Sequence, residues 1–381
     1  MAPTYLFVTN DAWYFVSHRL PIAKSLASTG AKVYVCAKKD NSISEIEESG
    51  CTFIEWRVSP RGKSFFGEIF TACQLFTIIC QLKPDILHLI TIKAVLYGAI
   101  SARILKLRGV ICAVAGLGAM LVSGPKISYS RRLLLSIYTY ALKYKYITFI
   151  FQNPDNRLDL ETSLGISIKN YVEIKGSGVD LEKYKKTDEP KGVPTVVVAA
   201  RLLRDKGILE FIEAAEIVKA RAEPVNFILA GSNIAKGNPA EFTPQELEYI
   251  CNNEVVQYIG HCDDMASLFE RCHIVVLPSH HEGFPKVLVE AAACARVVIT
   301  TDVPGCRHAI LHGETGILIP KSDPKALAEA VWDLLTQTGK RIEMGIAGRE
   351  LAEKEYDINK VVKSHRLVYE SILSETTERQ S

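Results

Sequence analysis

The stretch from Pro278 to Thr300, PSHHEGFPKVLVEAAACARVVIT, constrains this chain more than any other. Ile274 to Leu277 is a run of apolar β-formers that stops at Pro278. The polar loop Glu282-Gly283-Phe284-Pro285-Lys286 follows, Val287 to Ala293 has the composition of a helix, and Val297 to Thr300 reads as another buried strand. Strand, tight loop, helix, strand is the repeating unit of a parallel sheet, because parallel neighbours need a crossover. The loop then falls at the C-terminal end of a strand and the N-terminus of a helix. Unpaired N–H groups and the helix dipole favour anions there, and open α/β sheets bind ligands at that edge.

Two carboxylates, Glu282 and Glu290, bracket the element. Eight residues along a helix span about 12 Å. That is too far for the close carboxylate pair of a retaining glycosidase, but it suits the two ends of one extended ligand. Spacing alone equally allows a loop charge and a solvated helix charge.

The same alternation runs through the chain. Residues 4–10 form a strand pattern, a helix is expected from about Ser17 to Thr29, and Lys32 to Ala37 is the next strand. This opening has no G-x-G-x-x-G, so a dinucleotide site is not supported. His18 and Arg19 fall at the top of the expected helix, as acceptor or phosphate candidates or as a plain surface pair. A third strand follows near Thr52 to Trp56. An apolar helix from about Ser64 to Gln81 reads as a core helix by default, and Pro84 to Thr91 forms a strand. A buried strand from Val110 runs into Gly116-Leu117-Gly118, where glycines let a ligand approach the backbone. Residues 125–149 interleave Lys126, Arg131, Arg132, Lys143 and Lys145 with tyrosines and leucines. Such a segment can lie in a membrane interface or serve as a core helix with a basic face. After Gly178-Val179-Asp180, the charged stretch Leu181 to Gly192 is the best linker candidate. A second domain then opens with strand Pro194 to Ala200, a loop carrying Arg201, Lys206 and Gly207, and a helix from Ile208 to Arg221. Residues 232–245 read as a loop, a strand ends at Gly260-His261, and helices are expected over 324–338, 341–356 and about 358–373.

Bulk properties narrow the class. The 381 residues suffice for two domains, and 48% apolar with 23% charged residues is ordinary for a globular chain. Ten cysteines show no zinc spacing, and several, such as Cys112, Cys272 and Cys294, lie in apolar runs, which fits buried free thiols in a reducing compartment. The chain opens directly on a strand pattern, and no apolar run reaches ~18 residues without a charge. The expectation is a cytosolic protein or one peripheral on a membrane. The net charge of +2 divides into roughly +9 over residues 1–175 and roughly −7 over the rest. The basic half favours an anionic membrane surface or a phosphorylated acceptor. Nothing marks a nucleic-acid binder.

The motif E-G-F-P-x-V-L-x-E-A-x-A-C at Glu282 to Cys294 resembles the E-x7-E element of glycosyltransferase family 4, retaining enzymes of the GT-B fold. R-L-x-x-x-K-G at Arg201 to Gly207 is similar to that family's phosphate-binding element. The resemblance covers nearly the whole chain. It implies an α/β fold of two Rossmann-like doubly wound parallel-sheet domains facing across a cleft. The first, residues 1–178 with a crossover helix over 357–381, would bind acceptor. The second, residues 179–356, would bind nucleotide sugar. It also implies that Glu282 contacts donor-sugar hydroxyls, Glu290 holds the ribose, and backbone N–H groups of Gly283, Phe284, Lys286 and Val287 surround the diphosphate, with Pro285 shaping the loop between them. Arg201 and Lys206 would neutralise the leaving group, making Arg201, Lys206 and Glu282 the catalytic candidates, and Gly260 and His261 would border the base. Many members carry a His after the strand at 110–114, and this sequence has none. The G-L-G variant is similar to the branch transferring N-acetylhexosamine to polyprenyl-diphosphate-linked sugars. That branch acts at the cytoplasmic face of the bacterial inner membrane, with a UDP-sugar, GalNAc by preference, as donor. No two aspartates stand two apart, so no metal or other cofactor is expected, and charge stabilisation falls to Arg201, Lys206 and the helix N-terminus. A nucleotide-sugar epimerase, a phosphorylase or a binding module without turnover are the alternatives on the same fold.

Overall fold

The structure, a computed structural model, describes residues 2–59, 65–114, 129–221, 224–232 and 238–378. It divides into two compact units: Met1–Ser177 with Asn359–Ser381, and Gly178–Ile358.

The first unit is built on a seven-stranded sheet, all parallel, comprising β1 (Thr4–Asp11), β2 (Lys32–Lys38), β3 (Thr52–Glu55), β4 (Ile86–Leu89), β5 (Val110–Val114), β6 (Ile147–Phe151) and β7 (Tyr171–Glu173). The spatial order is β3-β2-β1-β4-β5-β6-β7. Helices separate the strands: α1 (Ala12–Ala27), α2 (Ile43–Glu48), α3 (Phe65–Leu82), α4 (Ile92–Leu105), α5 (Tyr129–Leu142) and α6 (Pro154–Leu164). Side chains of β1 alternate between two cores, as the strand period of two requires. Leu6 and Val8 face a core shared with α3, α4, α5 and α6, while Tyr5 and Phe7 face one shared with α1 and the final helix. That helix, α13 (Ile358–Glu378), returns to this unit and buries Val361, His365, Val368 and Tyr369 at helical spacing.

The second unit carries a six-stranded parallel sheet of β8 (Thr195–Ala199), β9 (Asn226–Ala230), β10 (Val256–Gly260), β11 (Ile274–Leu277), β12 (Val297–Thr301) and β13 (Gly316–Ile319), in the order β10-β9-β8-β11-β12-β13. Its helices are α7 (Ile208–Lys219), α8 (Pro244–Cys251), α9 (Met265–Glu270), α10 (Lys286–Ala293), α11 (Pro324–Thr336) and α12 (Thr338–Leu351). Val196, Val198, Ile274 and Val276 face a core with α7 and α11. Val197, Val275 and Leu277 face one with α9 and α10.

Four expectations are corrected. The first helix begins at Ala12, not Ser17, because Ala12, Phe15, Arg19, Ile22, Ala23 and Leu26 already form one buried stripe. Residues 244–251, in part assigned to a loop, are helical, started by a capping box in which Thr243 and Glu246 exchange hydrogen bonds. The helix expected over 341–356 begins at Thr338, is regular only to Leu351 and continues as a π-helical turn over Ala352–Tyr356. The segment 181–192 is no loose linker. Arg296, 1% exposed, donates to Thr187 O, Thr187 Oγ1 and Asp188 O, and Arg341 grips Glu189 with bonds of 2.8 and 2.9 Å. His273 completes the strap. Its Nδ1 accepts from Thr195 N–H and its Nε2–H donates to Pro190 O, and burial holds its pKa below the usual range.

Candidate active site

In the second sheet β8 sits between β9 and β11, so the crossovers leaving β8 and β11 go to opposite sides. The crevice outside their C-terminal ends is the topological switch point, where open α/β sheets take ligands. Arg201 follows β8 within two residues, and Glu282 follows β11 within five. The two loops are clamped together. Gly207, at φ +70°, closes the turn Arg204–Lys206, and a Cβ there would stand 2.1 Å from Pro278 O. His280 N–H donates to Asp205 O at 2.8 Å, and its Nε2 lies 2.7 Å from Glu210 Oε1. As a result Lys206 Nζ donates to Glu282 Oε1 at 2.6 Å, and Ser279 Oγ donates to the same oxygen at 2.8 Å. Both bonds fall on Oε1, which leaves Oε2 without a partner among the described residues. Arg201 is exposed, and its guanidinium has neither hydrogen bond nor ion pair among them.

Glu290 is not the solvated helix charge that spacing allowed. It is 6% exposed, paired with Lys286 one turn earlier at 3.1 Å, and stands beside the Tyr184 phenol. Burial first, and the Glu290 charge second, push the Tyr184 phenol up. The loop Gly283 to Pro285 leads into α10, whose opening residues Lys286 and Val287 have no acceptor within the helix for their N–H groups. A turn after β12 closes on this loop: a Cβ on Gly305, at φ +86°, would stand 2.5 Å from both Glu282 O and Gly283 O. The neighbouring Cys306 thiol is buried and pushed up to about 12, by burial first and by Glu282 second. It stays protonated at neutral pH and is no nucleophile.

The site therefore presents an uncommitted guanidinium, a lysine shared with a carboxylate, one free carboxylate oxygen and a helix N-terminus. Together these suit an anion joined to a polyhydroxyl group. Comparison with known proteins decides between the chemistries. Residues 180–351 match the family model "Glycosyl transferases group 1", and residues 5–153 match "Glycosyl transferase 4-like". The chain belongs to the glycosyltransferases. A Campylobacter jejuni relative, an N,N'-diacetylbacillosaminyl-diphospho-undecaprenol alpha-1,3-N-acetylgalactosaminyltransferase, is 27% identical over 93% of this chain and 95% of its own length. The Staphylococcus aureus capsular polysaccharide biosynthesis glycosyltransferase CapM is 26% identical over 95% and 98%. Among solved structures, a Rickettsia africae glycosyltransferase has a TM-score of 0.77 at 18% identity, covering 98% of this chain and 99% of its own. Anabaena HepE, solved with UDP, has a TM-score of 0.77 at 18% identity, covering 97% and 100%. The fold is thus that of the GT-B glycosyltransferases.

Other candidate residues of this glycosyltransferase lie as follows. Gly260, at φ +74°, ends β10, and its carbonyl accepts from Gly231 N–H at 2.7 Å. His261 is exposed and faces Asp263 at 3.1 Å. Both stand at the C-terminal edge of the sheet, with Arg201. Because α1 starts early, His18 and Arg19 sit at its middle rather than at its top. His18 stacks on Tyr14, with ring centroids 4.2 Å apart. Arg19 is buried, which removes it from the surface as a phosphate contact. Gly116, Gly118 and Lys126 lie outside the described residues, as does the side chain of Arg131. Arg132, Lys143 and Lys145 are exposed. Sequence reasoning missed Ser279, Tyr184 and His280, which orient the acids or clamp the loops. Gly207 and Gly305 carried a signal in the K-G and P-G pairs that end their turns.

Proposed function

We propose that this glycosyltransferase moves an N-acetylhexosamine, GalNAc in the first instance, from a UDP-sugar to a saccharide linked to a polyprenyl diphosphate. The anomeric configuration is retained and no metal takes part. The enzyme works at the cytoplasmic face of a bacterial inner membrane, in cell-surface glycan assembly. The observation that carries this reading is the convergence of Arg201, Lys206 and Glu282 at one switch point. Arg201 and Lys206 take the diphosphate oxygens, with the α10 N–H groups, as charge builds on the leaving group. Glu282 Oε2 accepts from a sugar hydroxyl, and Glu290 takes the ribose. The bond from the anomeric carbon to the phosphate oxygen breaks, and its electron pair leaves with UDP. The acceptor oxygen bonds to that carbon on the same face, and its proton passes to the departing phosphate. The relatives support donor and acceptor, since one is named for N-acetylgalactosamine transfer to an undecaprenol-linked sugar and HepE was solved with UDP and UDP-glucose.

The test is transfer from UDP-GalNAc and UDP-GlcNAc to a lipid-linked saccharide in EDTA, with the product's anomeric configuration read by NMR. Glu282→Ala is expected to abolish transfer while UDP still raises the thermal midpoint. Ligand at 100 times its Kd adds about 2.7 kcal/mol, a shift of several degrees. Sugar rearranged without acceptor would identify an epimerase. UDP binding with no turnover on any acceptor would leave a binding module.

A further inference from the structure

Helix α3 is an 18-residue segment of mean hydropathy 1.5, of which 17% is buried. The buried residues are Thr71, Leu75 and Ile79, a single stripe facing the core next to α4. The opposite stripe runs Phe66, Ile69, Phe70, Cys73, Phe76, Thr77 and Cys80 at helical spacing and contains no charge. Phe65 is 74% exposed, Phe66 81%, Ile69 45% and Phe70 55%. These four side chains alone leave roughly 400 Å² of apolar surface in water, the size of the largest patch on a typical monomer. The one ionisable acid or base of α3, Glu68, does not blunt this face. It turns inward to Lys93 and the Tyr97 hydroxyl. The main chain is also anchored, since Trp56 Nε1–H donates to Thr71 O at 3.0 Å. Composition alone makes α3 a core helix, but its packing uses only the narrow stripe.

The surface continues across the neighbouring helices, and its chemistry changes as it does. Between α3 and α4 lies an apolar groove of about 500 Å³, lined by Cys73, Phe76, Tyr97, Ile100 and Ile104. Past α4, helix α5 exposes Leu133, Ile137 and Tyr140. The Arg103 guanidinium lies 4.0 Å over the Tyr140 ring, and Arg132, Lys143 and Lys145 are exposed on or just after α5. An uncharged aromatic and aliphatic stripe bordered by aromatics with basic groups is the arrangement that a bilayer interface selects. Rings and aliphatic chains enter the acyl boundary, and cations meet anionic headgroups.

We infer that the outer face of α3, with α4 and α5 beside it, is a docking surface for an anionic lipid bilayer. Phe65, Phe66, Ile69 and Phe70 are its inserted residues. This deepens the preceding reading and rests on it only for the lipid-borne acceptor. Docking by this face would hold the enzyme where that acceptor is found.

The test uses the whole chain and flotation with two vesicle types, phosphatidylcholine alone and phosphatidylcholine with phosphatidylglycerol. The wild type is expected to float with the anionic vesicles. Phe65→Ser/Phe66→Ser/Phe70→Ser should lower its partition at least tenfold, and Arg132→Gln/Lys143→Gln should weaken it in the anionic vesicles specifically. The UDP-induced thermal shift, unchanged in both variants, shows that they are folded. It also separates the two readings. Flotation without UDP binding leaves this surface standing and removes the donor site. UDP binding without flotation, or a triple variant that floats like the wild type, overturns the surface. A concentration-dependent dimer of the wild type that the triple variant abolishes would assign the face to a second copy and overturn it too.

Discussion

The first unit should lose stability in mild acid through His365, at a calculable rate. His365 is buried between α13 and the sheet, its ring 6.0 Å from that of His88 and 6.3 Å from Tyr369. Its Nδ1–H donates to Val361 O at 2.8 Å, one turn earlier on its own helix, and its Nε2 has no partner among the described residues. Burial first, and the buried Arg19 charge second, lower its pKa to about 3. His88 shifts the same way, by burial, then by His365 and Arg19. A histidine depressed in the fold contributes its stability above the unfolded value of about 6.5 and loses it as pH falls toward the folded value. At about 1.4 kcal/mol per pH unit, going from pH 7 to pH 5 costs about 2 kcal/mol for His365 alone. For a unit of this size that is a drop of about 4–8 °C in Tm. The assay is thermal and urea unfolding of the wild type and His365→Phe across pH 5 to 7. Phenylalanine keeps the ring in its slot and gives up one bond to a carbonyl of the same helix. The wild type should fall about 2 kcal/mol further than the variant between pH 7 and 5. Parallel profiles would refute the reasoning, because they would mean that acid finds a way to charge this ring inside the fold at no cost.

Three further substitutions separate binding, loop geometry and the strap. Arg201→Ala should weaken UDP binding by about 10- to 100-fold, the worth of one charge-assisted fork, and should leave the midpoint of the unliganded protein unchanged, since Arg201 is exposed and its guanidinium is unpartnered among the described residues; a fall in that midpoint would show a structural role. Gly305→Ala places a Cβ against Glu282 O and Gly283 O at a left-handed φ, so kcat/KM for transfer should fall at least tenfold while far-UV circular dichroism is unchanged. Arg296→Met leaves the carbonyls of Glu270, Thr187 and Asp188 without their donor and takes one donor from Phe269 O; urea unfolding should show a loss of about 3–5 kcal/mol.

How far the sequence could be read depended on which residues signalled through pattern and which through contact. Strands such as Thr195–Ala199 and Ile274–Leu277 are short apolar runs bounded by turn residues, and they fall where that pattern puts them. The loop–helix element after Leu277 was legible for the same reason, and so was the candidate pair Arg201 and Lys206. The start of α1 was not. Trp13 to Val16 is rich in β-formers, and only the buried stripe through Phe15 and Arg19 makes it helical. The segment 181–192 is charged and reads as a linker, yet Arg296 and Arg341 reach it from more than a hundred residues away in sequence. No local pattern records such a partner. Nor does one show that Glu290 is buried or that α3 is not, because burial belongs to the packed helix layer rather than to the helix.

The two sheets share one arrangement at their centres, with the order 3-2-1-4 repeated from β3 to β4 and from β10 to β11. Topology alone gives each unit a switch point, so the side chains at the strand ends are what tell the two apart. In the first unit the ends of β1 and β4 carry Asn10, Asp11 and Thr91, and Thr91 Oγ1–H donates to Asn10 Oδ1 at 2.7 Å, across the switch point. Lys38, exposed at the end of β2, stands opposite Asp11 in the register. Lys93 serves Glu68 and Ser59 O, and Arg19 is buried below the surface. An amide, a hydroxyl and a carboxylate suit saccharide hydroxyls. In the second unit the corresponding ends carry Arg201, whose guanidinium has no partner among the described residues, and Lys206, 2.6 Å from Glu282 Oε1. The same topology therefore carries different side chains at its two switch points, and the cations of the second favour an anion there by Coulomb's law.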